Sequence, residues 1–226
     1  MDGPPPDDRA LPLFDLHMHS RHSFDGVMAP AHMVALGKRR GLAGIAVSDH
    51  NTIAGGVEAA ALNDDPNFLV IVGSEVLTEV GDILALFLTQ EIRSSYSLDV
   101  VAEIHEQGGI AILPHPYSQH QNLGEALFQQ LDGVEIYNGR DKRDYSPQTY
   151  AEIATPYGLA TVANSDAHLY WEIGRACSAI DVSELSAAAV RQAILDRRCR
   201  PVRRADKRST VAVYSSKTIK RVKKLL

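Results

Sequence analysis

Short apolar, β-branched runs recur along the chain with helical patterns between them. Leu13-Phe14-Asp15-Leu16, Gly44 to Ser48, Phe68 to about Leu77, Ile83 to Leu88, Ile110 to Leu113, Gly133 to Tyr137 and Leu159 to Ala163 read as strands, with a last one over Ala176 to Val182. Near-continuous apolar strands belong to parallel sheets whose outer face is covered by helices. The helices are expected from Ala29-Pro30 to near Gly41, from about Ile53 to Leu62, from Ser97 to Gly108-Gly109, and over about 123–131, 146–157 and 186–197. Proline in a first turn and glycine after a last one are ordinary helix boundaries. The link Glu79-Val80-Gly81-Asp82 is too short for a crossover, so the third and fourth strands should pair antiparallel. About seven strands in one chain of 226 residues favour a closed or nearly closed β/α barrel over an open sheet.

The strand ends carry the chemistry. The first run leads into His17-Met18-His19, where positions i and i+2 of an extended chain point to one side. The others lead into Asp49-His50-Asn51, Gly73-Ser74-Glu75, Pro114-His115-Pro116 and Asp166-Ala167-His168. Structural histidines would scatter over helix faces and loops; these gather at the C-terminal ends of strands, where β/α barrels hold their catalytic groups. Five histidines with Asp25, Glu75 and Asp166 exceed the four to six donors of a single ion, so two or three ions are expected, with Glu75 suited to bridging.

Composition narrows the setting. Hydrophobic residues make up 45% of the chain, enough for one packed domain. Cys177 and Cys199 have no metal-site spacing or disulfide framework, and no stretch reaches the roughly 20 apolar residues of a membrane span, so a soluble, cytoplasmic protein without membrane contact is expected. Residues 1–12 read as a proline-rich, acidic leader, 13–200 as the catalytic domain, and 201–226 as a basic tail whose end is helical. The formal charge of -5 hides an asymmetry, because Arg197 to Leu226 holds twelve Lys/Arg against one acid, Asp206. Such a tail either packs on the acidic body or draws nucleic acid to it. No GxGxxG or GxxxxGK[ST] is present, which argues against a nucleotide-binding open sheet.

The segments Asp15-Leu16-His17-Met18-His19 with Asp25-Gly26, Ser48-Asp49-His50-Asn51, Gly73-Ser74-Glu75-Val76, His115-Pro116 and Ser165-Asp166-Ala167-His168 resemble, in their order, the PHP (polymerase and histidinol phosphatase) domains over roughly residues 13 to 182. The resemblance implies a distorted (β/α)7 barrel with a di- or trinuclear site of Mn, Fe or Zn, hydrolysing phosphate esters. Carried over by motif, His17, His19, Glu75 and Asp166 look like the ligands of one ion and hold its activated water. Asp25, His50 and His168 look like those of a second, and His115 with bridging Glu75 those of a third. Where many members have a Gly-His pair after the glutamate, this chain has Gly81-Asp82; Asp82 is either an oxygen ligand or a turn residue.

Asn138 is expected to line the site, Arg140 to fork onto phosphate oxygens, and His120 to contact substrate, with Arg143, Arg21 and His22 as weaker candidates. Asp49 is read as either a support for an imidazole or an ordinary strand-end residue. The favoured activity is hydrolysis of a small phosphomonoester such as a nucleotide or sugar phosphate. Its alternatives are a nuclease guided by the basic tail, a non-catalytic metal-binding interaction module, and amidohydrolase-like C–N hydrolysis. The oligomeric state has no signature in the sequence.

Overall fold

The computed structural model describes residues 11–141 and 147–204. Residues 1–10, 142–146 and 205–226, and with them Arg143, most of the leader and most of the basic tail, lie outside the described residues.

Among the described residues, nine strands form one sheet in the order β7-β6-β5-β4-β3-β2-β1-β8-β9. β1 (Leu13–Asp15), β2 (Gly44–Val47) and β3 (Leu69–Thr78) run parallel, as do β5 (Ile110–Leu113), β6 (Gly133–Asn138) and β7 (Ala160–Asn164). β4 (Gly81–Leu86) is antiparallel to both β3 and β5, as the short link after Thr78 requires. The remaining strands are β8 (Ala176–Ile180), antiparallel to β1, and β9 (Cys199–Arg203), antiparallel to β8. The sheet curls until β7 meets β8, where Ser178 Oγ donates to the Ala163 carbonyl and accepts from the Ala163 amide, both at 3.1 Å. One side chain thus stands in for a missing rung, and the barrel is nearly closed.

The pleat divides the apolar residues between two sides. Phe14, Ala46, Ile71, Leu84, Leu86, Ile110, Ile112 and Val162 fill the interior, closed by Val190 and Ile194 of α6 (Ala187–Leu195), which Ser186 caps through its hydroxyl. The alternate residues Ile83, Ala85, Ala111 and Leu113 pack outward against α3 (Ser97–Glu106), the short α4 (Glu125–Phe128) and α5 (Pro147–Tyr157). Ile45 and Val47 pack with Met33 and Val34 of α1 (Pro30–Arg39) and with Ala59 of α2 (Ala54–Ala61). With one end of the barrel plugged by apolar side chains, polar groups are left to the strand C-termini.

α3 begins at Ser97 as expected, the Ser97 hydroxyl and amide both donating to Glu79 at 2.7 and 2.8 Å. Three expectations shift. The helix expected over 123–131 shrinks to four residues. β4 begins at Gly81, so Asp82 is a strand residue rather than part of the turn. β9 was not foreseen and continues to Arg203, past the boundary drawn at residue 200.

Candidate metal centre

His17 and His19 lie just beyond β1, on a segment kept extended by a bridge between Met18 and Ala167 and by the His19 amide, which donates to the Ala167 carbonyl at 2.8 Å. Met18 turns into the outer core while both imidazoles turn into the barrel mouth, the i, i+2 relation read from sequence. His50 follows β2 and bridges to Glu75 of β3; His115 follows β5; Asp166 and His168 follow β7. His115 (φ 29°) and Asp166 (φ 52°) both occupy the left-handed region, a backbone strain that persists where surrounding bonds dictate it. One such bond runs from the His115 amide to Glu135 Oε2 at 3.0 Å.

The side chains converge. Glu75 Oε2 lies 3.3 Å from His17 Nε2, 3.2 Å from His19 Nε2 and 3.3 Å from His50 Nδ1, while Glu75 Oε1 accepts from His115 Nε2 at 2.8 Å. Asp166 Oδ1 stands 3.8, 3.3 and 3.4 Å from His17 Nε2, His19 Nε2 and His168 Nδ1. Asp25 Oδ2 faces His50 Nε2 at 3.5 Å and His168 Nε2 at 3.2 Å. Asp82 shares a third grouping with Glu75 and His115, all donor atoms within 4.8 Å of one another. The glutamate thus sits between groupings, as a bridge would.

Two buried atoms test whether divalent ions suit these residues. His17 Nε2 and His19 Nε2 are buried without a hydrogen-bond partner, a cost of about 1–3 kcal/mol each if nothing else meets them. Both are aimed at Glu75 and Asp166 at 3.2 to 3.8 Å. Donor atoms about 2.1 Å from a common ion stand roughly 3.0–3.5 Å apart, so the residues fit.

Electrostatics agree. Burial lowers the pKa of His19, but Asp166 and Glu75 overcome it and raise the group to about 10. Burial likewise opposes, and Glu75 and Asp166 reverse, the shift of His17, which ends well above its ordinary value. Glu75 is held well below the carboxylate range by His17 and His50 despite its burial. Asp82 moves the other way, up to about 6, through burial and the neighbouring Glu75 charge.

Asp25, His50, Glu75, Asp82, His115, Asp166 and His168 line a cleft of about 540 Å³ that also includes Phe24, Asn138 and Arg140, while His17 and His19 lie fully buried behind Glu75 and Asp166. Arg140 is nearly buried and pairs with Glu172 at 3.4 Å, itself fixed by the His168 and Leu169 amides at 3.0 Å. Asn138 Oδ1 accepts from the Arg140 and Asp141 amides at 2.8 and 3.0 Å, shaping the turn that presents the guanidinium. His120 is not in the lining; its Nε2 donates to the Pro114 carbonyl at 2.9 Å, and its ring packs beside Gly81. Arg21 and His22 instead pair with Glu58 of α2 at 2.7 and 2.6 Å. Asp49 supports no imidazole: its carboxylate holds the Ser20 amide and hydroxyl at 2.6 and 2.7 Å.

Glu135, fully buried in β6, escaped the sequence reading. Its oxygens accept from His17 Nδ1 at 3.2 Å, Asn164 Nδ2 at 2.9 Å, Asn138 Nδ2 at 2.7 Å and the His115 amide. An acid within an otherwise apolar strand was the available signal.

A nearly closed β/α barrel with imidazoles and carboxylates gathered at its strand ends is the architecture of PHP-like metal-dependent phosphoesterases. The chain belongs to the PHP domain family: that domain's sequence model matches residues 15–157, and a PHP-associated model matches 148–199. The uncharacterized protein MJ1587 of Methanocaldococcus jannaschii is 39% identical over 137 residues, 55% of this chain and 80% of that protein. A two-domain protein from Bacteroides vulgatus, containing a predicted PHP-like metal-dependent phosphoesterase, superposes with a TM-score of 0.73 at 24% identity over 87% of this chain and 66% of its own. The lesion-specific endonuclease PfuEndoQ from Pyrococcus furiosus does so at 0.63 and 18% identity over 82% and 56%. At these identities the two solved structures show a shared fold. Among the described residues, no helix is long and apolar enough to cross a membrane.

Proposed function

We propose that the protein hydrolyses a small phosphomonoester, such as a nucleotide or sugar phosphate, at two or three divalent ions (Mn, Fe or Zn) held by His17, His19, Asp25, His50, Glu75, His115, Asp166 and His168, with Asp82 completing the grouping of Glu75 and His115. The observation that carries this reading is the pair of orphaned, buried Nε2 atoms facing two carboxylates at the floor of an open cleft. Bound there, such ions supply acidified water and positive charge opposite the phosphoryl oxygens.

The chain's own residues do the rest. Glu75 and Asp166 hold His17 and His19 in one arrangement, so little reorganisation accompanies binding. Arg140, pinned by Glu172 on the cleft wall, offers donors for a phosphate's outer oxygens, and Asn138 fixes the loop that carries it. A cleft of about 540 Å³ is the size of small-ligand sites. No serine is needed as nucleophile: Ser23 Oγ is occupied, donating to Asp25 Oδ1 at 3.1 Å.

The test is a phosphate-release screen of Mn-loaded protein beside a His17→Ala/His19→Ala control. Release from the wild type alone supports the proposal; equal release from both sinks it. Oligonucleotides belong in the same screen. Salt-sensitive cleavage of them without monoesterase activity would replace the small substrate with a nucleic acid engaged through the basic C-terminal residues.

A further inference from the structure

We propose that Glu135 is a positioning residue of the metal centre, acting through His17; this rests on the metal reading above. Glu135 is fully buried, and a buried carboxylate survives only when its lone pairs are met. Both oxygens are met twice, Oε1 by His17 Nδ1 and Asn164 Nδ2, Oε2 by Asn138 Nδ2 and the His115 amide. The amides are oriented independently, since Asn164 Oδ1 accepts from the Leu16 amide at 3.0 Å and Asn138 Oδ1 from the Arg140 amide, which leaves each NH2 toward Glu135. With three other donors on it, the carboxylate can only accept from His17, so in the neutral ring, the form that binds an ion, the proton is fixed on Nδ1. The lone pair is then on Nε2, the buried atom without a partner that faces Glu75 and Asp166.

The other imidazoles lack this arrangement. His19 Nδ1 faces only the Ser23 hydroxyl at 3.4 Å, His115 Nδ1 the Ser118 carbonyl at 3.2 Å, and His168 Nδ1 the Asp166 carbonyl at 2.9 Å. Both nitrogens of His50 face Asp25 and Glu75, carboxylates of the centre itself. Among these five rings, His17 alone is backed by a carboxylate outside the ligand groupings. A carboxylate there holds the ring plane, selects the tautomer and makes the far nitrogen a stronger donor. It also brings a negative charge behind the centre without filling a coordination position.

Glu135→Gln is the discriminating change, because an amide NH2 turned toward His17 reverses the tautomer and places a proton on Nε2, where the ion must bind. The readout is Mn²⁺ affinity by titration. We expect Glu135→Gln to weaken it by about 10–100-fold. In a His17→Ala background, Glu135→Gln should change nothing further. Equal weakening with and without His17, or wild-type affinity in Glu135→Gln, overturns the proposal. A wild type that binds no Mn²⁺ overturns instead the metal reading beneath it. If Glu135→Gln does not fold, ¹⁵N shifts of the His17 ring in the Zn²⁺-loaded wild type still decide: a proton on Nδ1 with the ion on Nε2 is expected, and a proton on Nε2 contradicts it.

Discussion

Replacing Asp15 with Asn isolates a charge that the barrel holds at a cost. Asp15 ends β1 fully buried, its oxygens accepting from the Ser165 amide at 3.0 Å and the Gly174 amide at 2.7 Å. Burial lifts its pKa from 3.8 to about 6, against the opposing pull of the Ser165 and Gly174 bonds and of His17. A carboxyl whose folded-state pKa is the higher one binds protons more readily in the fold. Its contribution is therefore present in full below pH 3.8 and lost as pH rises through about 6. At 1.36 kcal/mol per pH unit the loss totals about 3 kcal/mol, of which about 2 kcal/mol falls between about pH 4.5 and pH 7.5. Asparagine does not titrate. It turns one NH2 toward a backbone amide, at about 1–3 kcal/mol whatever the pH, so the slope rather than the offset is diagnostic. Urea unfolding of wild type and Asp15→Asn, both in EDTA, should show the wild type losing about 2 kcal/mol relative to the variant across that range. A difference constant in pH would refute the reasoning.

Further outcomes follow from the packing. Leu84, fully buried in the barrel interior, should cost about 2–5 kcal/mol on truncation to alanine, read from the urea midpoint at unchanged slope. Gly81 has φ of 120°, and a Cβ there would run into the His120 ring and meet the Gln119 carbonyl at 2.8 Å, so Gly81→Ala should lose about 1–3 kcal/mol; wild-type stability would contradict the geometry. Cys177 is fully buried and its thiol is pushed up to about 12 by burial and by Asp15, so iodoacetamide should modify it only on unfolding, as followed by mass spectrometry.

The strand-end residues were legible because each ends an apolar run whose pleat sends it into the mouth, and one chemistry repeated at one structural position stands out from composition. Glu135 was not, because its partners come from β1, β5 and β7, and only the closed barrel brings His17, His115 and Asn164 around it. Asp49 stayed open between two readings for the converse reason: sequence adjacency to His50 suggested a shared site, yet neighbouring strand residues face opposite sides, and Asp49 is the strand-end residue that secures Ser20. β9 was hidden by its composition. Pro201 with exposed Arg200 and Arg203 reads as a tail, but proline and charge are what an edge strand tolerates. His120 seemed available from its loop, but its ring is committed to the Pro114 carbonyl.

The central claim, that these converging side chains form a multinuclear metal centre, is tested most directly by metal content. Wild type and a His19→Ala/Asp166→Ala variant, stripped with chelator and dialysed against Mn²⁺, Fe²⁺ or Zn²⁺, should differ: two or three tightly held ions per chain in the wild type and fewer in the variant. A wild type without stoichiometric metal, or a variant that keeps its full complement, would contradict the account.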